Sequence, residues 1–226
     1  AILLPALGKA RSCAYRVSSL SSARQLMLAY SLYSDENDDA LLIGYAARGH
    51  VQGANAPLDE SGRPLDGIPE LARRYPWRLA PQFDFNWQGM YEDEDALTQI
   101  RGEPDYEYVI SLYPSFGLNV VFMGGSSNHY AYEVDGSRDL QARRYFGDFF
   151  LRRRSEARRP SDLITFASAR SKKEPSLNYV DNPEGGYQVL PPRFIDQQGP
   201  QWDETYDRDA DSPGTNSGHV SLRFED

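Results

Sequence analysis

AILLPALGKARSCAYRVSSLSSARQLMLAYSLYSDENDD, residues 1–39, reads as one long helix followed by its stop. Leu3, Leu7, Ala10, Ala14 and Val17 recur at helical spacing, and Leu20, Ala23, Met27 and Tyr30 continue the stripe with a slight drift. Lys9, Arg11, Arg16, Arg24 and several serines lie between them and can face water while the stripe packs on something else. The spacing therefore predicts an amphipathic helix from Ile2 to Tyr33. Pro5 removes one backbone hydrogen bond and is expected to kink it near its start. Asp35, Glu36, Asp38 and Asp39 crowd negative charge where the helix dipole disfavours it, which marks the end.

Working outward, the composition bounds the rest. A chain of 226 residues can bury a sizeable core as one domain with long insertions. A formal net charge of -9 argues against general affinity for nucleic acid or anionic lipid, which the average surface would repel. Cys13 is the only cysteine, so no intramolecular disulfide can form, and it reads most simply as a small buried apolar residue. Ala1, Ile2, Leu3 and Leu4 are the only unbroken apolar stretch at the start, far short of the roughly 20 residues a membrane span needs. Residue 1 nevertheless reads as an internal residue of a longer apolar helix.

Beyond residue 39 the pattern changes period. Residues 41–45, 118–123, 163–169, 187–190 and 219–224 are short β-prone runs bounded by Gly, Pro, Asn or Asp. Residues 46–69 are rich in Gly, Pro and Asp without periodicity and read as a long surface loop. A long helix followed by mostly strand segments gives an α+β class, with the helix covering one face of an antiparallel sheet. The expected division is a helix over residues 1–36 and a β-rich head over 37–226.

The same stretches carry a resemblance. Residues 1–11, Ser18 to Ala23, Arg24-Gln25-Leu26 and residues 33–38 resemble the N-terminal region of prepilin-type proteins, the type IV pilin-like and type II secretion pseudopilin-like group, most closely its planctomycete and verrucomicrobial versions. Tyr113-Pro-Ser-Phe-Gly-Leu-Asn119 with Gly124-Gly125, residues 159–167, and residues 185–194 are similar to landmarks of the large heads in that group. Residues 216–226 are similar to its closing motif, with Asn216 standing where the family has a histidine. The resemblance implies a pilin-like fold, with the peptidase-cleaved basic leader and the glutamate-bearing apolar segment upstream of Ala1. It also implies assembly with copies of itself or other pilins through Ile2, Leu3, Leu4, Pro5, Leu7, Ala10, Ala14 and Val17. Location at the inner membrane, then in an extracellular filament or periplasmic pseudopilus, follows from the same resemblance.

The candidate sites divide between sharp and bland readings. His50, His129 and His219 lie in separate contexts and no HExxH, GxSxG or P-loop pattern occurs. Ser126, His129 and Asp135 can be written as a triad, as can other sets by chance, so the expectation is a structural or binding protein and not an enzyme. Asp207, Asp209 and Asp211 alternate as calcium ligands do, and calcium binds acidic C-terminal loops in some related pseudopilins. Ser212 and Gly218 stand where an EF-hand needs Gly and Glu, so a solvated acidic loop is the competing reading, and no other cofactor is expected.

Arg152, Arg153, Arg154, Arg158 and Arg159, with Arg143 and Arg144, form the one basic cluster. They suit phosphate or acidic-glycan recognition, or neutralise surplus acid within a subunit or between neighbours. The acidic run at residues 92–95 reads as an exposed helix start. Trp77, Trp87 and Trp202 can stack sugars or pack a core. Two functions follow: a filament or pseudopilus subunit, or a membrane-tethered head that binds an extracellular glycan, with no nucleic acid in either.

Overall fold

The computed structural model describes residues 3–65, 67, 69–92, 94–120, 122–126, 150–170, 185–189 and 219–220. Helix α1 spans Leu3–Glu36 and is continuous through Pro5. Its C-terminus closes as the acid run predicts, and the geometry shows how. Asn37 Nδ2 donates to Tyr33 O at 2.7 Å, and the Asp39 amide reaches back to Ser34 O at 2.9 Å. Asp38 and Asp39 both take left-handed backbone, with φ of 51° and 65°, which turns the chain away from the helix axis. Asp tolerates that region better than most residues with a Cβ.

The head opens with short helices. Among the described residues these are α2 (Pro69–Arg73), α3 (Tyr75–Leu79), α4 (Glu94–Arg101) and α5 (Tyr106–Leu112), joined by 3₁₀ turns at Ala80–Phe83 and Trp87–Gly89. The expected exposed helix start at residues 92–95 is the first turn of α4, where Glu94 and Asp95 are exposed. Strands follow: β1 (Phe116–Asn119), β2 (Phe166–Arg170), β3 (Gln188–Val189) and β4 (His219–Val220), in the order β3-β1-β2-β4.

The class is α+β, with a long N-terminal helix on a small sheet, but the sheet is mixed where an all-antiparallel one was expected. β1 pairs antiparallel to β2 with Phe116 opposite Ser168, while β3 runs parallel to β1 with Leu118 opposite Gln188. Alternation of side chains marks a strand but does not name its neighbour, and this is why direction was misread. Gly117 is required where β3 crosses it, since a Cβ there would lie 2.7 Å from the Gln188 carbonyl carbon.

Two of the expected strands and the expected loop change for identifiable reasons. Residues 41–45 form only isolated bridges at Tyr45, because Arg78 Nη2 takes the carbonyls of Ile43 and Gly44 that a ladder would have used. Strand β1 stops at Asn119, whose side-chain oxygen accepts from the Phe122 amide and whose carbonyl accepts from Met123 N, closing a turn. The stretch 46–65 is more than a surface loop, for it holds two 3₁₀ turns and buries Val51, Ala56, Asp59 and Leu65.

One core joins helix and head. Trp77 and Trp87 are fully buried with ring centroids 4.7 Å apart, and Trp77 Nε1 donates to Glu107 O at 2.8 Å. Tyr75 OH donates to Phe116 O at 2.5 Å, tying α3 to β1. Burial pushes the Tyr75 phenol far up, as it does Tyr30 on α1, so both remain neutral donors.

Candidate functional site

Helix α1 is built with two faces. Toward its C-terminal half Ser22, Leu26, Ala29, Tyr30 and Ser34 are buried, with Ala23 and Tyr33 packed beside them. Tyr30 meets Phe166 of β2 edge-on at 5.7 Å, and α1 also lies against the 3₁₀ turns at Ala80–Phe83 and Trp87–Gly89. The opposite face is open. Leu7 is 63% exposed, Val17 68% and Leu28 66%, while Leu32 is also exposed.

These residues fall on a single line. Steps of three and four take Leu3, Leu7, Ala10, Ala14, Val17 and Ser21, then past Arg24 and Gln25 to Leu28 and Leu32, along one side of a helix about 50 Å long at 1.5 Å per residue. The expected stripe is thus exposed from Leu7 through Val17, but its expected continuation divides. Leu20 and Met27 are exposed, Ala23 is half-buried and Tyr30 turns into the core. The outer line passes instead through Leu28 and Leu32, which the sequence reading missed. A strict three-four count from Val17 reaches both and was the signal for them.

Ala10 and Ala14 are exposed within this face. Small side chains interrupting large apolar ones let a second helix approach closely. Leu3, Leu4 and Pro5 are placed by backbone in α1, and Ile2 lies outside the described residues. Cys13, read as buried, is exposed on the helix, because the head covers only the later turns. No described helix is long and apolar enough to cross a membrane.

The acidic end of α1 is clasped by the basic cluster. Arg154 pairs with Asp35 at 2.6 Å and with Asp39 at 3.3 Å, and the Ser155 amide donates to Asp39 Oδ2 at 2.9 Å. Main-chain bonds run alongside, from Leu41 N to Arg152 O at 2.8 Å and from Arg154 N to Asp39 O at 3.0 Å. The Ser155 hydrogen bonds, with Arg154 and Arg153 nearby, hold the Asp39 carboxyl below its ordinary value. Hydrogen bonding to Asp35 raises the Arg154 guanidinium in turn. Each exposed pair adds little alone, but the clasp fixes how the head leaves the helix.

The remaining arginines are arranged differently. Arg152 lies over the Phe150 ring at 5.3 Å. Together with Arg158 and Arg159 it lines an open depression of about 960 Å³, to which Glu156, Asp162, Phe150, Leu151 and Leu163 also contribute. Arg158 and Arg159 are exposed, and the Arg159 carbonyl accepts from the Asp162 amide at 3.0 Å.

Other expectations fall as follows. Trp77 and Trp87 take the core role, and neither offers a ring face for stacking sugars. Trp202, Asp207, Asp209 and Asp211, Arg143 and Arg144, and His129 with Asp135, lie outside the described residues. Ser126 is fully buried and His50 is exposed on a 3₁₀ turn. Among the described residues no three His, Cys, Asp or Glu side chains are grouped to hold a metal ion.

Sequence reasoning missed one buried and one half-buried arginine. Arg74 is 3% exposed, stacked 4.5 Å from the Tyr108 ring and 5.2 Å from that of Tyr187, and donates to Ser111 Oγ at 2.8 Å. Arg78 donates to the carbonyls of Ile43, Gly44, Arg73 and Arg74, and burial lowers its guanidinium to about 10. Both hold segments of the head together. No family model, curated protein or solved structure matches the chain.

Proposed function

We propose that this chain is a structural subunit of a type IV pilus-like filament or a type II secretion pseudopilus. It assembles with copies of itself or related subunits through α1 and displays the head outward. The observation that carries the reading is an α1 whose inner face is sealed by the head from Ser22 to Ser34 with Leu28 and Leu32 exposed opposite, and whose earlier turns, with Leu7 and Val17 in line with them, the head leaves uncovered. Exposed apolar side chains along one side of a helix, here in two groups at Leu7–Val17 and Leu28–Leu32 separated by Ser21, are costly to leave in water and gain by burial against another chain.

The mechanism is mechanical. Outer faces of neighbouring α1 helices bury one another, and Ala10 and Ala14 permit the approach. A contact between two different patches on successive copies does not close on itself and extends into a filament. The head leaves the earlier turns open to this packing, because the clasp at Asp35, Asp39 and Arg154 and the Leu26 to Tyr30 contacts hold it to the later turns. Anchoring at the inner membrane before assembly, and a place outside it afterwards, belong to the same proposal.

Substituting Leu7→Asp and Val17→Asp together tests it. The expected result is loss of assembly with unchanged head stability, read by pelleting of assembled material and by thermal unfolding. Assembly at the unsubstituted level would remove the outer line from the mechanism.

A further inference from the structure

Charge in this chain is divided between helix and head. None of the 33 acidic residues precedes Asp35, whereas Lys9, Arg11, Arg16 and Arg24 all lie on α1. All four are exposed, so α1 up to Ser34 offers solvent basic side chains and no acidic one. The net charge of -9, which argues against anionic lipid for the average surface, therefore hides a region of the opposite sign.

The geometry places this charge beside the outer line. At about 100° per residue Leu7, Val17, Leu28 and Leu32 share one sector of the helix, and the buried Ser22, Leu26, Ala29, Tyr30 and Ser34 lie about 140° round from it. Arg24 and Arg11 fall within about 80° of the sector's centre on opposite sides, and Lys9 stands beyond Arg24. Long Lys and Arg stems lie along apolar surface and carry their charge to a polar boundary. A helix apolar on one side with basic side chains along its edges suits a lipid interface, apolar side down.

The head does not obstruct such a contact, because Leu28 and Leu32 stay exposed on turns whose other side is buried in it. Its acidic groups also stand off from the lipid. A helix is about 10–12 Å wide, close to one Debye length at 0.1 M salt, so repulsion from across it is screened while the adjacent basic groups stay in range.

We infer that the outer side of α1 docks flat on an anionic lipid surface, with Leu7, Val17, Leu28 and Leu32 toward the acyl boundary and Lys9, Arg11 and Arg24 on lipid phosphates. This contact is separate from anchoring by an apolar segment upstream of Ala1, and it does not depend on assembly. A subunit held this way keeps its outer line out of water until a neighbouring helix replaces the lipid, an exchange of one apolar surface for another.

Flotation of the full chain with phosphatidylcholine vesicles, with and without phosphatidylglycerol, at about 0.1 M salt tests the inference. Binding is expected only where phosphatidylglycerol is present and should weaken as salt rises. K9E/R11E is expected to lower it by about tenfold or more, since each basic group near an anionic surface contributes. L28D, near the other end of the line, is expected to lower it too, and normal binding by L28D would contradict a helix lying flat. R158E/R159E, the same charge change on the head, should leave binding near the unsubstituted level. Thermal unfolding of every variant should stay near that of the unsubstituted protein, because all these positions are exposed. No flotation, equal flotation with both vesicle types, or loss in R158E/R159E but not in K9E/R11E would overturn the inference. So would K9E/R11E that bound vesicles normally yet self-associated less in their absence, which would give the basic flank to a second copy. Pelleting of the unsubstituted protein without vesicles reads assembly separately, so either reading can fail with the other standing.

Discussion

Replacing Leu26 by Ala should unfold the head early, whereas replacing Leu28 by Ala, two residues along the same helix, should not. Leu26 is 2% exposed and belongs to the core cluster with Tyr30, Trp77 and Trp87. Truncating a Leu at such a site removes its transfer free energy and leaves a cavity, together about 2–5 kcal/mol. For a domain of this size each kcal/mol moves the midpoint by roughly 2–4 °C, so L26A should melt about 5–15 °C lower. Leu28 is 66% exposed, and an exposed substitution by the best helix former should change stability by less than about 0.5 kcal/mol. Circular dichroism melts and urea midpoints, taken at concentrations where the chain is monomeric, read both values. Equal losses at the two positions would mean that the head does not distinguish the faces of α1, and no loss at Leu26 would detach the helix from the core altogether.

Other outcomes follow from single residues. Gly124→Ala should cost about 2 kcal/mol or more, because Gly124 holds φ +73° and a Cβ there would sit 2.1 Å from the Leu42 carbonyl oxygen; a urea midpoint within error of the unsubstituted protein would contradict it. The acid limb of stability should depend on Asp59, whose carboxyl is pushed up by burial but pulled further down by hydrogen bonds from Ser61 and Arg63. Its folded value lies below the ordinary 3.8, so its contribution is complete above that pH and is lost as pH falls through the folded value. Urea midpoints of D59A measured from neutral pH to below pH 4 should therefore fall less steeply with acid than those of the unsubstituted protein, and parallel curves would refute the assignment.

Much of the molecule was legible in residues 1–39 and little of it in the middle. The helix and its stop could be read because periodicity and charge act locally, and Asp38 and Asp39 turn the chain where the acid run said it would end. The face that meets the head could not, since Leu26 and Leu28 are equally apolar and only tertiary packing decides which is buried. Residues 41–45 carry strand propensity, yet their carbonyls are claimed by Arg78 from more than 30 positions away. The tryptophans could be read as core or as binding platforms until Trp77 and Trp87 were seen edge to face. Within the basic cluster, composition said that seven arginines sit together, while geometry separates Arg154, spent on Asp35 and Asp39, from Arg158 and Arg159 at the depression.

Electron microscopy of the native assembly purified from its source tests the central proposal most directly. The account predicts helical filaments in which α1 lies toward the axis, with Leu7, Val17, Leu28 and Leu32 covered by neighbouring helices and the head outside. Discrete particles, or filaments whose axis is built by the head with the outer line of α1 left in solvent, would contradict it.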